Sequence, residues 1–119
     1  MRTDTSVFDW SAGGQAGDLG QSLTGEWIPV THGHISFDFD WSAASHAPAG
    51  TLSFQVANDP SSPHDLPGTF TPALTSPAGG AGTSAADEIE TDMALIRAVY
   101  TRTGGGGGDT ITGRVARRQ

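Results

Sequence analysis

The stretch His34–Ser42, HISFDFDWS, alternates without a break. Ile35, Phe37, Phe39 and Trp41 take one parity, and Ser36, Asp38, Asp40 and Ser42 take the other. Successive side chains of a strand point to opposite faces, so the pattern predicts a strand with one buried face and one wet face. A second run, Thr51–Ala57 (TLSFQVA), puts Leu52, Phe54 and Val56 on one side and stops at Asn58-Asp59-Pro60, a turn-forming cluster. The link between the runs carries Pro48 and Gly50. It predicts that the two strands are antiparallel neighbours. Phe37, Phe39, Trp41, Phe54 and Val56 are the expected core.

Further strands are expected at Thr5–Trp10 and Glu26–Val30, with Pro29 held to a sheet edge or strand end because it lacks a ladder donor. Residues 11–20 read as loop, which makes about 1–23 a loop-rich N-terminal segment. Residues 61–82 are rich in Pro, Ser, Gly and Thr, with a short strand allowed at 69–74. So long a link in a compact domain is expected to lie on the surface or on a neighbouring subunit. From Ser84 the pattern has two readings. Ser84 followed by Asp87 resembles a capping box, and Ile89, Met93, Ile96 and Tyr100 have helical spacing. The end of the stretch, ALIRAVYTRT, suits a strand. A short helix or turn is expected at about 84–92 and a strand at about 94–103. The five glycines Gly104–Gly108 then read as a hairpin tip before a strand at Asp109–Val115. The sum is an all-β chain, an antiparallel β-sandwich or jelly roll of six to seven short strands with at most one short helix, in a single domain over residues 1–119.

Charge narrows the partners. The chain carries 13 acids against six bases, all arginine, a formal net charge of −7. That opposes nucleic acid and anionic membrane surfaces, where affinity comes from neutralising phosphate or lipid charge. No apolar run is long enough to span a membrane, and the N-terminus lacks the apolar core of a signal peptide, so a cytoplasmic site of synthesis is expected. There is no cysteine, hence no disulfide or thiolate site. The charge is uneven. Arg114, Arg117 and Arg118 give residues 114–119 the look of a basic tail, while Asp87, Glu88, Glu90 and Asp92 form an acidic patch. These seven residues are the candidate interface, with the tail docking on the patch of a neighbouring subunit or on an acidic partner. Arginine suits the task because its planar fork pairs carboxylates bidentately.

Other constellations carry less. His32, His34, Asp38 and Asp40 share parity and could hold a metal, but no second segment converges on them, and a solvated polar face is the preferred reading. The acidic patch lacks the spacing and glycine of a calcium-binding EF-hand loop. The glycine run is not followed by the Lys-Ser/Thr of a phosphate loop. No carboxylate pair and no nucleophile elbow stands out, so neither an enzyme nor a cofactor is expected. Trp10, Trp27, Trp41 and Phe54 read as core rather than as sugar platforms.

Two segments resemble small virion proteins of tailed bacteriophages: GTLSFQVAND at Gly50–Asp59, and LIRAVYTRTGGGGG at Leu95–Gly108, followed by DTITGRV. The resemblance covers roughly residues 24–115. It implies a β-sandwich head-decoration (cement) protein or tail accessory protein, made in the host cytoplasm and carried on the virion. It further implies partners among the major capsid protein or other virion proteins, and a homo-oligomer, trimer or dimer. The longer glycine run and the Pro-rich middle depart from that pattern. The same GTL…ND strand is more weakly similar to discoidin-like carbohydrate-binding sandwiches, which implies a carbohydrate-binding module as the alternative.

Overall fold

A computed structural model of the chain describes residues 3–41, 44, 46–66, 73–74 and 84–118. The strands are β1 (Thr3–Val7), β2 (Ala16–Asp18), β3 (Leu23–Thr24), β4 (Ile28–Pro29), β5 (His34–Asp40), β6 (Ala49–Ala57), β7 (His64–Asp65), β8 (Ala73–Leu74), β9 (Ser84–Glu90), β10 (Leu95–Gly104) and β11 (Thr110–Arg118). They form two sheets. The first runs β1-β11-β5-β9, with β2 also on β11, and the second runs β3-β10-β6-β7, with β4 also on β10 and β8 also on β6. Every strand pairing is antiparallel. The chain is an all-β sandwich. No helix occurs among the described residues.

The predicted core is the observed one. Phe37, Phe39 and Trp41 are buried on the inner face of the first sheet, and Leu52, Phe54 and Val56 on that of the second. The Phe37 and Phe54 rings meet across the interior with centroids 4.9 Å apart, and Phe8 stands edge-on to Phe37 at 5.8 Å. Such pairs add about 0.5–1.5 kcal/mol each to the area they bury.

That packing corrects the expected pairing of β5 with β6. Both strands carry a large apolar face, and each buries it best against the other. They therefore face one another from opposite sheets, with β5 bonded to β11 and β9, and β6 bonded to β10. The glycine run also changes sheets. It joins β10 of the second sheet to β11 of the first, so it is an arch rather than a hairpin tip. Gly105, at φ +59°, packs so closely on the Ala47 carbonyl that any Cβ would overlap it.

The helix or turn expected at 84–92 is strand β9, paired with β5 from His34↔Glu90 to Asp40↔Ser84. The helical spacing was an accident of position. Ile89 ends one strand, Met93 lies in a bend, and Ile96 and Tyr100 belong to the next strand. The basic tail is also strand. β11 runs to Arg118 between β1 and β5. The described residues hold eleven strands where six or seven were expected, because β3, β4, β7 and β8 are two-residue pieces on strand edges. Of the 69–74 strand, Ala73 and Leu74 are paired with Thr51 and Gly50. The rest of that segment, and residues 75–83, lie outside the described residues.

Candidate functional site

Six of the seven predicted interface residues fall on one sheet, with β5 between Asp87, Glu88 and Glu90 of β9 and the arginines of β11. Strand parity then splits them. Glu88 and Arg114 face outward in the rows of Ser36 and Asp38. Arg114 Nη1 lies 3.3 Å from Asp38 Oδ1, and His34 Nε2 lies 3.9 Å from Glu90. The arginine is thus engaged within its own sheet. Asp92 is exposed in the bend after β9. Arg118 is backbone-paired with Thr3. Asp87 takes the parity of Phe37, toward the interior. Its Oδ1 accepts the Glu88 N–H at 2.8 Å, while Oδ2 is buried without a hydrogen-bond partner among the described residues. Cutting the chain after Val115 would therefore remove ladder residues, not a solvated tail. The metal reading of His32, His34, Asp38 and Asp40 gains nothing, since no group of three or more metal-ligating side chains comes together among the described residues.

Arg117 takes the parity opposite to Arg114, in register with Asp4 and Ile35. That turns it toward the open side of the sandwich, where the β1 edge of the first sheet approaches β4 of the second. A cleft of about 200 Å³ lies there. Its floor is the buried Phe8, Ile28 and Val115. Its walls carry Ser6 and Arg117 from the first sheet, and Glu26, Trp27 and Pro29 from the second.

The local sequence explains these placements. Ile28 is buried opposite Ile96, and Pro29 sits at a short edge where its missing N–H costs no ladder bond. The residue before Ile28, Trp27, then takes the other parity and stays half exposed. The Arg97 guanidinium lies 4.2 Å from the centre of its ring. Arg97 in turn donates from Nε and Nη2 to Gln55 Oε1 at 2.9 and 2.8 Å, and Gln55 Nε2 donates to Asp65 Oδ1 at 3.0 Å. The indole is braced from one side by a chain of planar groups that runs across β10, β6 and β7.

After β1 the chain leaves the first sheet and bonds to the edge of the second. Glu26 N–H donates to the Asp9 carbonyl at 3.0 Å, Asp9 N–H to Glu26 Oε1 at 3.0 Å, and Ser11 N–H to the Thr24 carbonyl at 2.9 Å. Glu26 and Arg117 carry opposite charges and line the same small space, yet no ion pair within 4.0 Å joins them. Among the described residues Arg117 has no ion-pair partner. The cleft therefore presents a fixed aromatic wall, a carboxylate acceptor, a guanidinium donor and a hydroxyl.

A second buried polar feature holds loops together at the glycine-arch end. Asp109 is 4% exposed, and its carboxylate accepts the His46 N–H at 2.7 Å and meets His46 Nδ1 at 2.9 Å. The His46 carbonyl accepts the Gly106 N–H at 2.8 Å. Near it the buried Tyr100 hydroxyl donates to the Ala49 carbonyl at 3.2 Å, and burial raises its pKa above the usual phenol value.

Sequence reasoning placed Trp27 among the core aromatics and Arg117 in a tail, and it passed over Glu26 and Ser6. One signal was available. In E-W-I-P-V, alternation from Ile28 sends Trp27 to the opposite face. Nothing local could have paired His46 with Asp109, which are far apart in the chain.

No protein-family model and no curated protein sequence matches the chain. Two sheets packed over one aromatic core define it as a β-sandwich. Among solved structures it is similar to the isomalto-dextranase of Arthrobacter globiformis T6 complexed with panose, with TM-score 0.55 and 15% identity over 96% of this chain and 23% of that one. It is also similar to a CBM35 from Cellvibrio japonicus Abf62, with TM-score 0.47 and 10% identity over 98% of this chain and 84% of that one. At 15% identity the first likeness shows the fold alone, and this chain spans less than a quarter of that enzyme.

Proposed function

We propose that the chain is a carbohydrate-binding β-sandwich module whose ligand lies against Trp27. The carrying observation is the separation of Glu26 from Arg117 across a cleft with an indole wall. A sugar ring offers an apolar C–H face to the indole, and hydroxyls that can donate to a carboxylate and accept from a guanidinium. A carboxylate and a guanidinium on the walls beside an aromatic group suit such a ligand better than a purely apolar one, which would engage neither. The role is binding without turnover. Glycoside hydrolysis takes two carboxyl groups flanking the bond, and among the described residues Glu26 is the single carboxylate lining this cleft.

Dextran and soluble starch are the first ligands to test, because the similar isomalto-dextranase was solved with panose. Xylan and mixed-linkage β-glucan complete the set. In affinity electrophoresis the chain should be retarded by at least one of the four, and Trp27→Ala should run freely while still unfolding in one cooperative transition at a lowered midpoint, since it loses the Arg97 stack. Free migration in all four gels, or unchanged retardation of Trp27→Ala, would overturn the reading.

The second reading is a virion decoration or tail accessory protein, assembled as a trimer or dimer on the major capsid protein or other virion proteins. The two resembling segments support it, since the fold makes them paired neighbours, β6 and β10. Antibody labelling of phage particles from the producing culture tests it. Bare particles beside retarded protein in the gels would leave the carbohydrate reading alone.

A further inference from the structure

Resting on the carbohydrate-binding reading, we infer that Arg97 and Gln55 are positioning residues of the Trp27 site, which set how tightly a sugar is held by ordering the indole in advance. Neither lines the cleft, while Trp27 does. The guanidinium over the ring therefore covers indole surface that the cleft does not use.

The register of the second sheet delivers these groups to the ring. Arg97 is opposite Gln55, and Gln55 is opposite Asp65, so the three stand in one row across β10, β6 and β7. On the other side of β10, Leu95 pairs with Pro29 and Ile96 with Ile28. One further step of the same register sets Trp27 beside Arg97. The row thus ends at the indole, and it starts at the far edge of the sheet.

The row can be satisfied in one orientation. A guanidinium donates and never accepts, and an ionised carboxylate accepts and never donates. The amide between them has one end of each kind. Gln55 Oε1 accepts from Arg97 Nε and Nη2 at 2.9 and 2.8 Å, and Gln55 Nε2 donates to Asp65 Oδ1 at 3.0 Å. A flip of the amide would set donor against donor at Arg97 and acceptor against acceptor at Asp65. Two bonds to one oxygen hold the guanidinium, and that junction is part-buried. The held guanidinium lies 4.2 Å from the centre of the half-exposed Trp27 ring and restricts its rotamers. A sugar that stacks on a ring already ordered loses less entropy on binding than one that must order it.

The test uses the full chain and an oligosaccharide of whichever polysaccharide retards it. Gln55→Met removes the acceptor and leaves Arg97 with the ring alone. Titration calorimetry on the folded variant should show an affinity about two- to tenfold weaker, the effect of ordering one side chain on binding. Acrylamide should quench its tryptophan emission more steeply, because Trp10 and Trp41 are buried and Trp27 is the indole within reach. The double variant Gln55→Glu with Asp65→Asn moves the carboxylate one place along the row. The new carboxylate accepts from Arg97 and the new amide donates to it, so one orientation is restored with no change of net charge. It should return to within about twofold of the wild-type affinity. Wild-type affinity in Gln55→Met would overturn the positioning role while leaving carbohydrate binding in place, even where the unfolding midpoint falls. A double variant no tighter than Gln55→Met would overturn the argument from donor and acceptor. Absence of binding to every saccharide would overturn both readings together.

Discussion

On the outer face of the first sheet, Arg114 meets Asp38 at 3.3 Å and His34 lies 3.9 Å from Glu90. On the outer face of the second, Arg97 lies on the Trp27 ring and gives its hydrogen bonds to Gln55. The same period-2 alternation builds both faces, and both cover one aromatic core. They differ in how the cations are satisfied. The first sheet pairs charge with charge in the open, where water and salt compete. The second pairs charge with π-electrons and amide oxygen in a half-buried row. The first arrangement is adjustable and weak, while the second fixes an aromatic side chain beside an open cleft. A charged stripe in the sequence is therefore a poor guide to how firmly its cations are held in the fold.

The largest expected effect removes what the two faces share. Phe39 is fully buried, and its ring packs against Phe8, Trp10, Phe37 and Phe54. Phe39→Ala should cost about 3–5 kcal/mol in chemical denaturation. A loss below about 1 kcal/mol would mean that the sheets do not pack through this face. Next comes Asp109→Ala, which strips two hydrogen bonds from His46 and should cost about 1.5–3 kcal/mol, the range for bonds to a charged group. Wild-type stability would show that the arch does not depend on that contact.

The two smaller effects separate the faces directly. Arg97→Ala loses a stacked guanidinium and two part-buried hydrogen bonds, for about 1–2 kcal/mol. That loss should persist in high salt. Arg114→Ala breaks a pair whose side chains are 42% and 54% exposed, and should cost less than about 1 kcal/mol. Raised salt should erase that difference, because exposed charges are screened beyond the Debye length. Equal costs with equal salt dependence would dissolve the contrast between the sheets.

Much of the sandwich was legible in the residues. The alternation of Ile35, Phe37, Phe39 and Trp41, and that of Leu52, Phe54 and Val56, names both inner faces, because burial on one side of a strand needs period 2. Which strand pairs with which was not legible. Alternation says which way a side chain points and nothing of its neighbour. Hence β5 and β6, adjacent in sequence and alike in pattern, were taken for partners when they are opposing faces. In the 84–92 stretch, acids interrupt the apolar positions, and Asp87 stands at an inward site where a hydrophobic residue would have revealed the strand. The cleft was the least legible part. Ser6, Glu26, Trp27 and Arg117 lie far apart in the chain, and the passage of the chain from β1 to the edge of the second sheet brings them together.

The position of β11 has a consequence for the time course of folding. It is the last strand, yet it lies inside the first sheet, bonded to β1 on one side and β5 on the other. Thr3 pairs with Arg118, so β1 finds no partner until β11 has left the ribosome. The second sheet can assemble earlier around β6 and β10. Sheets closed by such distant pairings fold on the scale of milliseconds to seconds, since the loop entropy is lost before the contacts are gained. During that interval the aromatic face of β5 has no cover from its own sheet. A nascent chain stalled before residue 110 is expected to be held by chaperones or to aggregate, and release of β11 is the event that completes the first sheet.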